Sequence, residues 1–267
     1  MSEGSLRNAA VRTGFAGACI ALTVYFLALL VSGAAWFDKS RVAAVLAGSS
    51  FWNSLWLSFW TATVATALAV VVALPVAHFL SRQRFAGRAA LDTLLDLPTL
   101  LSPIATGTLL LMLCHTEIGR RLQQWGVPVV YTKAGIVLAQ FTIIVSLAVR
   151  LLKAAFDGIP RRYEDLARIL GCDRWKAFWN VSMPLARPGM IAAVIICWAR
   201  AFGEFGATVT LAGAMPGVTD TIPVAIYLRL GTADLEGALV LIAVLVAVSM
   251  TVLFGVRLLA GNGGARP

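Results

Sequence analysis

Histidine and charge are both scarce in this sequence. Only two histidines, His78 and His115, occur among 267 residues, and Asp, Glu, Lys and Arg together make up 13%. Paired histidine metal ligands are therefore excluded, and a soluble domain would have too little polar surface. The four cysteines, Cys19, Cys114, Cys172 and Cys197, fall in different segments with no C-x-x-C pair. They make neither a metal site nor an evident disulfide, and read as small apolar fillers. Also missing is G-x-x-x-x-G-K-[ST], so the chain cannot cradle ATP phosphates and any ATP-driven work needs a partner. No nucleophile has a persuasive base beside it, which sets aside a membrane-embedded enzyme.

What is present is apolar. Hydrophobic residues make up 59% and the mean hydropathy is +0.83, values of a polytopic membrane protein. Six stretches reach the ~20 apolar residues a bilayer crossing needs: Phe15 to Phe37, Phe51 to Leu80, Leu91 to Cys114, Ala134 to Phe156, Pro188 to Leu211, and Leu235 to Leu259. The first has Arg12 before it and could pass for a signal peptide. Its apolar run is too long, however, and no small-x-small site precedes Trp36 and Phe37, so a retained span is expected. The net charge of +9 does not indicate nucleic acid, because the basic residues sit in short loops between spans. With both termini inside, about 15 basic residues lie on the inner side against about 6 outside, with Arg200 in a span. The loop between the fourth and fifth spans then faces the cytoplasm.

Several spans hold residues that lipid alone would not select. Trp52, Trp56 and Trp60 recur on one face of the second stretch, as an aromatic belt does. The third carries Pro98 and Pro103, which free backbone carbonyls and kink a helix. Thr99, Ser102, Thr106 and Thr108 either bond their own helix at the kink or offer neutral donors beside a translocation path. Asp92 and Asp96 lie at its inner mouth. His115 has only Glu117 near it, too little for a metal site. In the fifth stretch Ala199, Gly203 and Ala207 form a small-residue face at four-residue steps. Arg200 and Glu204, also four apart, are an ionisable pair near mid-bilayer, either a static brace or part of a gate.

The polar segment from Tyr163 to Gly189 separates two of these apolar stretches. Tyr163, Leu166, Ala167 and Leu170 fall at i, i+3, i+4 and i+7, giving a short amphipathic helix with Glu164, Asp165 and Arg168 turned away from the stripe. Gly171 ends it. Asp173 is placed as the N-cap of a second short helix whose stripe is Trp175, Phe178, Trp179 and Ser182, and Pro184 is expected to close it. A helix pair too polar for lipid and too apolar on one side to float free must dock on something.

The spacing Asp165-Leu166-Ala167, three residues, Gly171, nine residues, Val181-Ser182-Met183-Pro184 resembles the EAA loop of ABC importer permeases. Asp165 stands for the usual Glu, Leu166 for Ala and Met183 for Leu, while Ala167, Gly171 and Pro184 hold their places. A second resemblance sharpens the first. A-R-A-F-G-E-F-G-A-T at 199–208, then Ala212-Gly213, Pro216-Gly217, Thr219, Thr221-Ile222-Pro223 and Ala225-Ile226-Tyr227, is similar to the molybdate permeases, with sulfate/thiosulfate and tungstate permeases as near relatives. Leu97 to Pro103 also looks like theirs, although Ser102 replaces an expected Pro.

The resemblance implies an all-α, MetI-like fold: six transmembrane helices with cytoplasmic termini, in a bacterial inner membrane. Residues 1–14 and 261–267 would be tails around a six-helix domain at 15–260, with the coupling loop at 158–187. The implied partners are a second permease copy, two cytoplasmic ATPase chains that hold ATP and Mg, and an external oxyanion-binding protein; this chain itself would bind no cofactor. The coupling residues would be Tyr163, Glu164, Asp165, Leu166, Ala167, Leu170, Gly171, Asp173, Trp175, Phe178 and Pro184. A translocation path or gate would use Pro98, Ser102, Pro103, Arg200, Gly203, Glu204 and Thr208. The cargo is expected to be a tetrahedral oxyanion, molybdate first and sulfate, thiosulfate or tungstate as alternatives. A secondary transporter with Arg200 and Glu204 as ion relay is the other class. It predicts inverted repeats, which the sequence does not show, and leaves Tyr163 to Pro184 without a role.

Overall fold

The computed structural model describes residues 3–34, 39–124 and 128–261. Trp36, Phe37, Gly126 and the last six residues lie outside them. The described elements are all helical. Two helices, α1 (Glu3–Ala34) and α2 (Lys39–Ala47), lead into α3 (Ser49–Arg82), which is followed by α4 (Arg88–Leu100), α5 (Pro103–His115) and α6 (Glu117–Gln124). Then come α7 (Lys133–Asp157), the short α8 (Arg162–Ile169) and α9 (Arg174–Ala177), a π-turn at Phe178–Ser182, and α10 (Met183–Phe202). The chain ends through α11 (Gly206–Ala212), α12 (Ile222–Gly231) and α13 (Leu235–Gly261).

Five of these runs are long and apolar enough to cross a bilayer: Arg12–Gly33, Ser49–Arg82, Lys133–Asp157, Arg174–Phe202 and Leu235–Gly255. The sixth expected crossing is broken. Helices α4 and α5 qualify only together, and they meet at 107°. The two prolines differ in place: Pro98 lies inside the last turn of α4, and Pro103 is the first residue of α5, so the chain breaks between them rather than kinking one helix. Ser102 is extended, as a residue before proline prefers, and its Oγ caps α5 by accepting from Ala105 N at 3.2 Å.

The core is a packing of small residues. Ala62, Ala65, Ala69, Ala73 and Ala77 form a wholly buried ladder along α3 that lets the α7 backbone come close. Ile144, Ala148, Leu152 and Phe156 of α7 fill the same core. A Cβ added at Gly107 of α5 would sit 2.7 Å from Ala207 Cα, so α5 and α11 also touch nearly backbone to backbone.

Two further expectations change. Pro184 does not close the second docking helix, because the π-turn passes without interruption into α10. Met183 N bonds Phe178 O, five residues back, and this wider register accommodates a proline that lacks its own N–H. The fifth stretch is not continuous to Leu211 either: it stops at Phe202 and restarts at Gly206. The face of Ala199, Gly203 and Ala207 is therefore interrupted, with Gly203 exposed at the break. The small residues buried on α10 are Ala186, Ala193, Cys197 and Ala201.

Candidate functional site

Two places gather the polar residues. The first is the pair α8 and α9. Helix α8 ends in two reversed hydrogen bonds, Cys172 N to Ala167 O at 3.0 Å and Gly171 N to Arg168 O at 3.1 Å. Gly171 carries the positive φ of +91° that this ending requires. Asp173 then caps α9, its Oδ1 accepting from Lys176 N at 2.7 Å.

The orientation of α8 adds a partner to the amphipathic reading, because the side turned away from the apolar stripe faces the bundle. Glu164 does not turn to water. Its Oε1 accepts from Arg82 Nε of α3 at 2.7 Å and from Ser182 Oγ of the π-turn at 2.5 Å, with His78 Nε2 3.7 Å away. Burial pushes the Glu164 carboxyl up, but the bonds from Ser182 and Arg82 and the nearby charges of Arg82 and His78 outweigh it, so its pKa lies below the ordinary glutamate value. Around this rivet, Arg161 Nη2 donates to Ser81 O at 2.8 Å, and the His78 ring lies edge-on to Phe156 and Phe178.

The apolar residues point the other way. Leu166 is 54% exposed, Ile169 80%, Leu170 84% and Trp175 69%, with Tyr163 and Trp179 also exposed. Phe178 is buried against the bundle and Ala167 half-buried. The helix pair is thus fastened to the bundle by its polar side and shows its apolar side outward. Asp165 and Pro184 are exposed beside it.

The second place is the broken fifth span. Glu204, 1% exposed, stands in the gap between α10 and α11. Its Oε1 accepts from Ala207 N at 3.1 Å, capping α11, while Oε2 pairs with Arg200 Nη1 at 2.5 Å. From α7, Gln140 Nε2 donates to Ala201 O at 3.1 Å and occupies a carbonyl near the end of α10. A cavity of about 160 Å³ opens beside Arg200, lined also by Pro98, Thr99, Pro103, Ile143 and Leu147. The two broken spans therefore meet at one hollow. Thr208 does not reach it and is wholly buried. The hydroxyls of Thr99, Thr106 and Thr108 bond carbonyls of their own or the adjoining turn, and Thr99 also borders the hollow.

Sequence reasoning missed Arg82, His78 and Gln140, each of which lies far along the chain from its partner. It also missed Asp220, buried and accepting from Ser54 Oγ at 3.1 Å. The P-G-V-T-D-T-I-P run is thereby pinned to α3, where Ser58 Oγ accepts from Ile222 N at 2.7 Å. One clue was available: a carboxylate among apolar spans needs a donor.

A multi-pass helical protein with two broken spans facing one hollow, and an apolar helix pair riveted to one end, has the build of a permease. Residues 69–261 match the model of the family described as binding-protein-dependent transport system inner membrane component, and the chain belongs to that family. It is 39% identical over 178 residues to the molybdenum transport system permease protein ModB of Escherichia coli K12, covering 65% of this chain and 78% of that one. Against the sulfate transport system permease protein CysT of the same organism it is 32% identical over 198 residues, covering 73% and 72%. Among solved structures, a bacterial alginate ABC transporter in complex with an alginate pentasaccharide-bound periplasmic protein matches with a TM-score of 0.72. That match, at 15% identity, covers 94% of this chain and 92% of that one, and shows the shared fold.

Proposed function

We propose that this chain forms, as a homodimer in a bacterial inner membrane, the pore of an ABC importer for a tetrahedral oxyanion, molybdate foremost. Two cytoplasmic ATPase chains would grip α8 and α9, and an external binding protein would deliver the anion. The observation that carries this reading is the outward apolar face of Leu166, Ile169, Leu170 and Trp175 on a pair whose other side is hydrogen-bonded to the bundle. Leu166, Ile169 and Leu170 lie outside the apolar spans and Trp175 at the very start of one, and such a face calls for a protein partner. ATP and Mg belong to that partner, since the chain has no phosphate loop.

In this mechanism the ATPase pair closes and pulls α8 and α9. The pull rocks α10 and the α4–α5 elbow, opening the hollow beside Arg200 first to one side and then to the other. Arg200 is paired with Glu204, so an anion meets a positive group already countered by a carboxylate and is not trapped there. The relation to ModB supports molybdate and that to CysT supports sulfate as the second reading. The test is uptake of radiolabelled molybdate and sulfate by proteoliposomes holding the permease, its ATPase and its binding protein. ATP-dependent molybdate uptake is expected, and anion movement that persists without the ATPase chain would overturn the assignment.

A further inference from the structure

A cavity of about 200 Å³ lies between the end of α3 and the α8–α9 pair, and neither the docking face nor the broken spans use it. Its wall is basic. Arg82, Arg161, Arg168 and Arg174 line it against two carboxylates, Glu164 and Asp165. Glu164 is already committed to Arg82 and Ser182, and Asp165 alone does not cancel the field of the rest. Neither Arg168 nor Arg174 has an ion-pair partner among the described residues.

The decisive group is Arg82, whose side chain is only 8% exposed. Its Nε donates to Glu164 at 2.7 Å and its Nη1 to Ser81 Oγ at 3.4 Å, which leaves Nη2 buried with no acceptor. Beside it His78 Nε2 is also buried without a hydrogen-bond partner. A guanidinium that has lost its water and found nothing in exchange marks a place for an acceptor. Its planar fork suits an oxyanion better than any other small acceptor.

We propose that this cavity binds a small tetrahedral dianion of the molybdate, sulfate or phosphate type. A hollow of this volume is below the usual range for drug-sized ligands, so a nucleotide does not fit. One wall belongs to α3 and the others to α8 and α9, so a bound anion ties the docking pair to the bundle and stiffens it. The site is separate from the hollow beside Arg200, and binding here does not depend on which anion the importer carries.

The test is a titration of the full-length chain, in nanodiscs without any ATPase, with molybdate, sulfate or phosphate at constant ionic strength. A saturable rise in melting temperature over chloride is expected. In the double variant Arg168→Gln/Arg174→Gln, whose two side chains are exposed, the apparent affinity should fall about tenfold or more. The single variant Arg174→Glu gives the same readout should the double variant fold poorly. Tighter binding of molybdate or sulfate would mark the transported anion as occupant, and tighter binding of phosphate would mark the interior pool. No saturable rise with any anion overturns the proposal, and that result follows if a carboxylate of the ATPase chain is the native occupant. A rise that both variants leave unchanged overturns it equally.

Discussion

Glu164 shows how one carboxylate can hold a functional element. Replacing it with Gln leaves the Arg82 guanidinium buried without its counter-charge, which should cost about 3 kcal/mol, read as a lower melting temperature. The pH dependence follows from the depressed pKa. Above the ordinary glutamate value of about 4.3 the stabilisation is fully present. It is lost as pH falls through the lower folded-state value. Melting curves of wild type and Glu164→Gln should therefore differ by a constant amount at neutral pH and converge only below that ordinary value. At the other polar centre Glu204→Ala removes both a cap and the partner of Arg200, with an expected loss of about 3–5 kcal/mol in thermal unfolding.

Between residues and molecule, the helix endings carry the argument. Gly171 has φ +91°, so Gly171→Ala should cost about 1–2 kcal/mol through backbone strain alone. Gly171→Pro cannot adopt that angle, and its expected effect is loss of ATP-dependent uptake with the membrane bundle still folded, checked by transport beside a melting curve. This ending was legible, since a Gly followed by an Asp cap is a local signal. The facing of α8 was not. Periodicity finds the stripe of Leu166 and Leu170 and says that it must dock, but it does not say what the opposite, polar side meets. Here the polar side is buried, against Arg82 some eighty residues earlier, and the apolar side is open. The break at Gly203 was hidden for a similar reason. Its surroundings are apolar enough to continue a span, and the groups that relieve its orphan backbone atoms are a buried Glu204 and a distant Gln140.

For the whole molecule, six apolar stretches were readable from composition, and the elbow between α4 and α5 was readable only as two prolines. Sidedness is open to a direct measurement. In a chain whose native cysteines are replaced by serine, Leu170→Cys should react with a membrane-impermeant maleimide added to inverted vesicles and resist it in right-side-out cells. The reverse pattern would remove the proposed partner from reach of ATP.

The run Arg174–Phe202 spans 29 residues, about 43 Å at the helical rise, with the Ser182 hydroxyl near one end and the Arg200 guanidinium near the other. It is in effect a connecting rod. Because no loop interrupts it, its two ends are mechanically joined, and any stroke that the proposed ATPase partner applied at α9 would reach the hollow reduced only by what the π-turn absorbs.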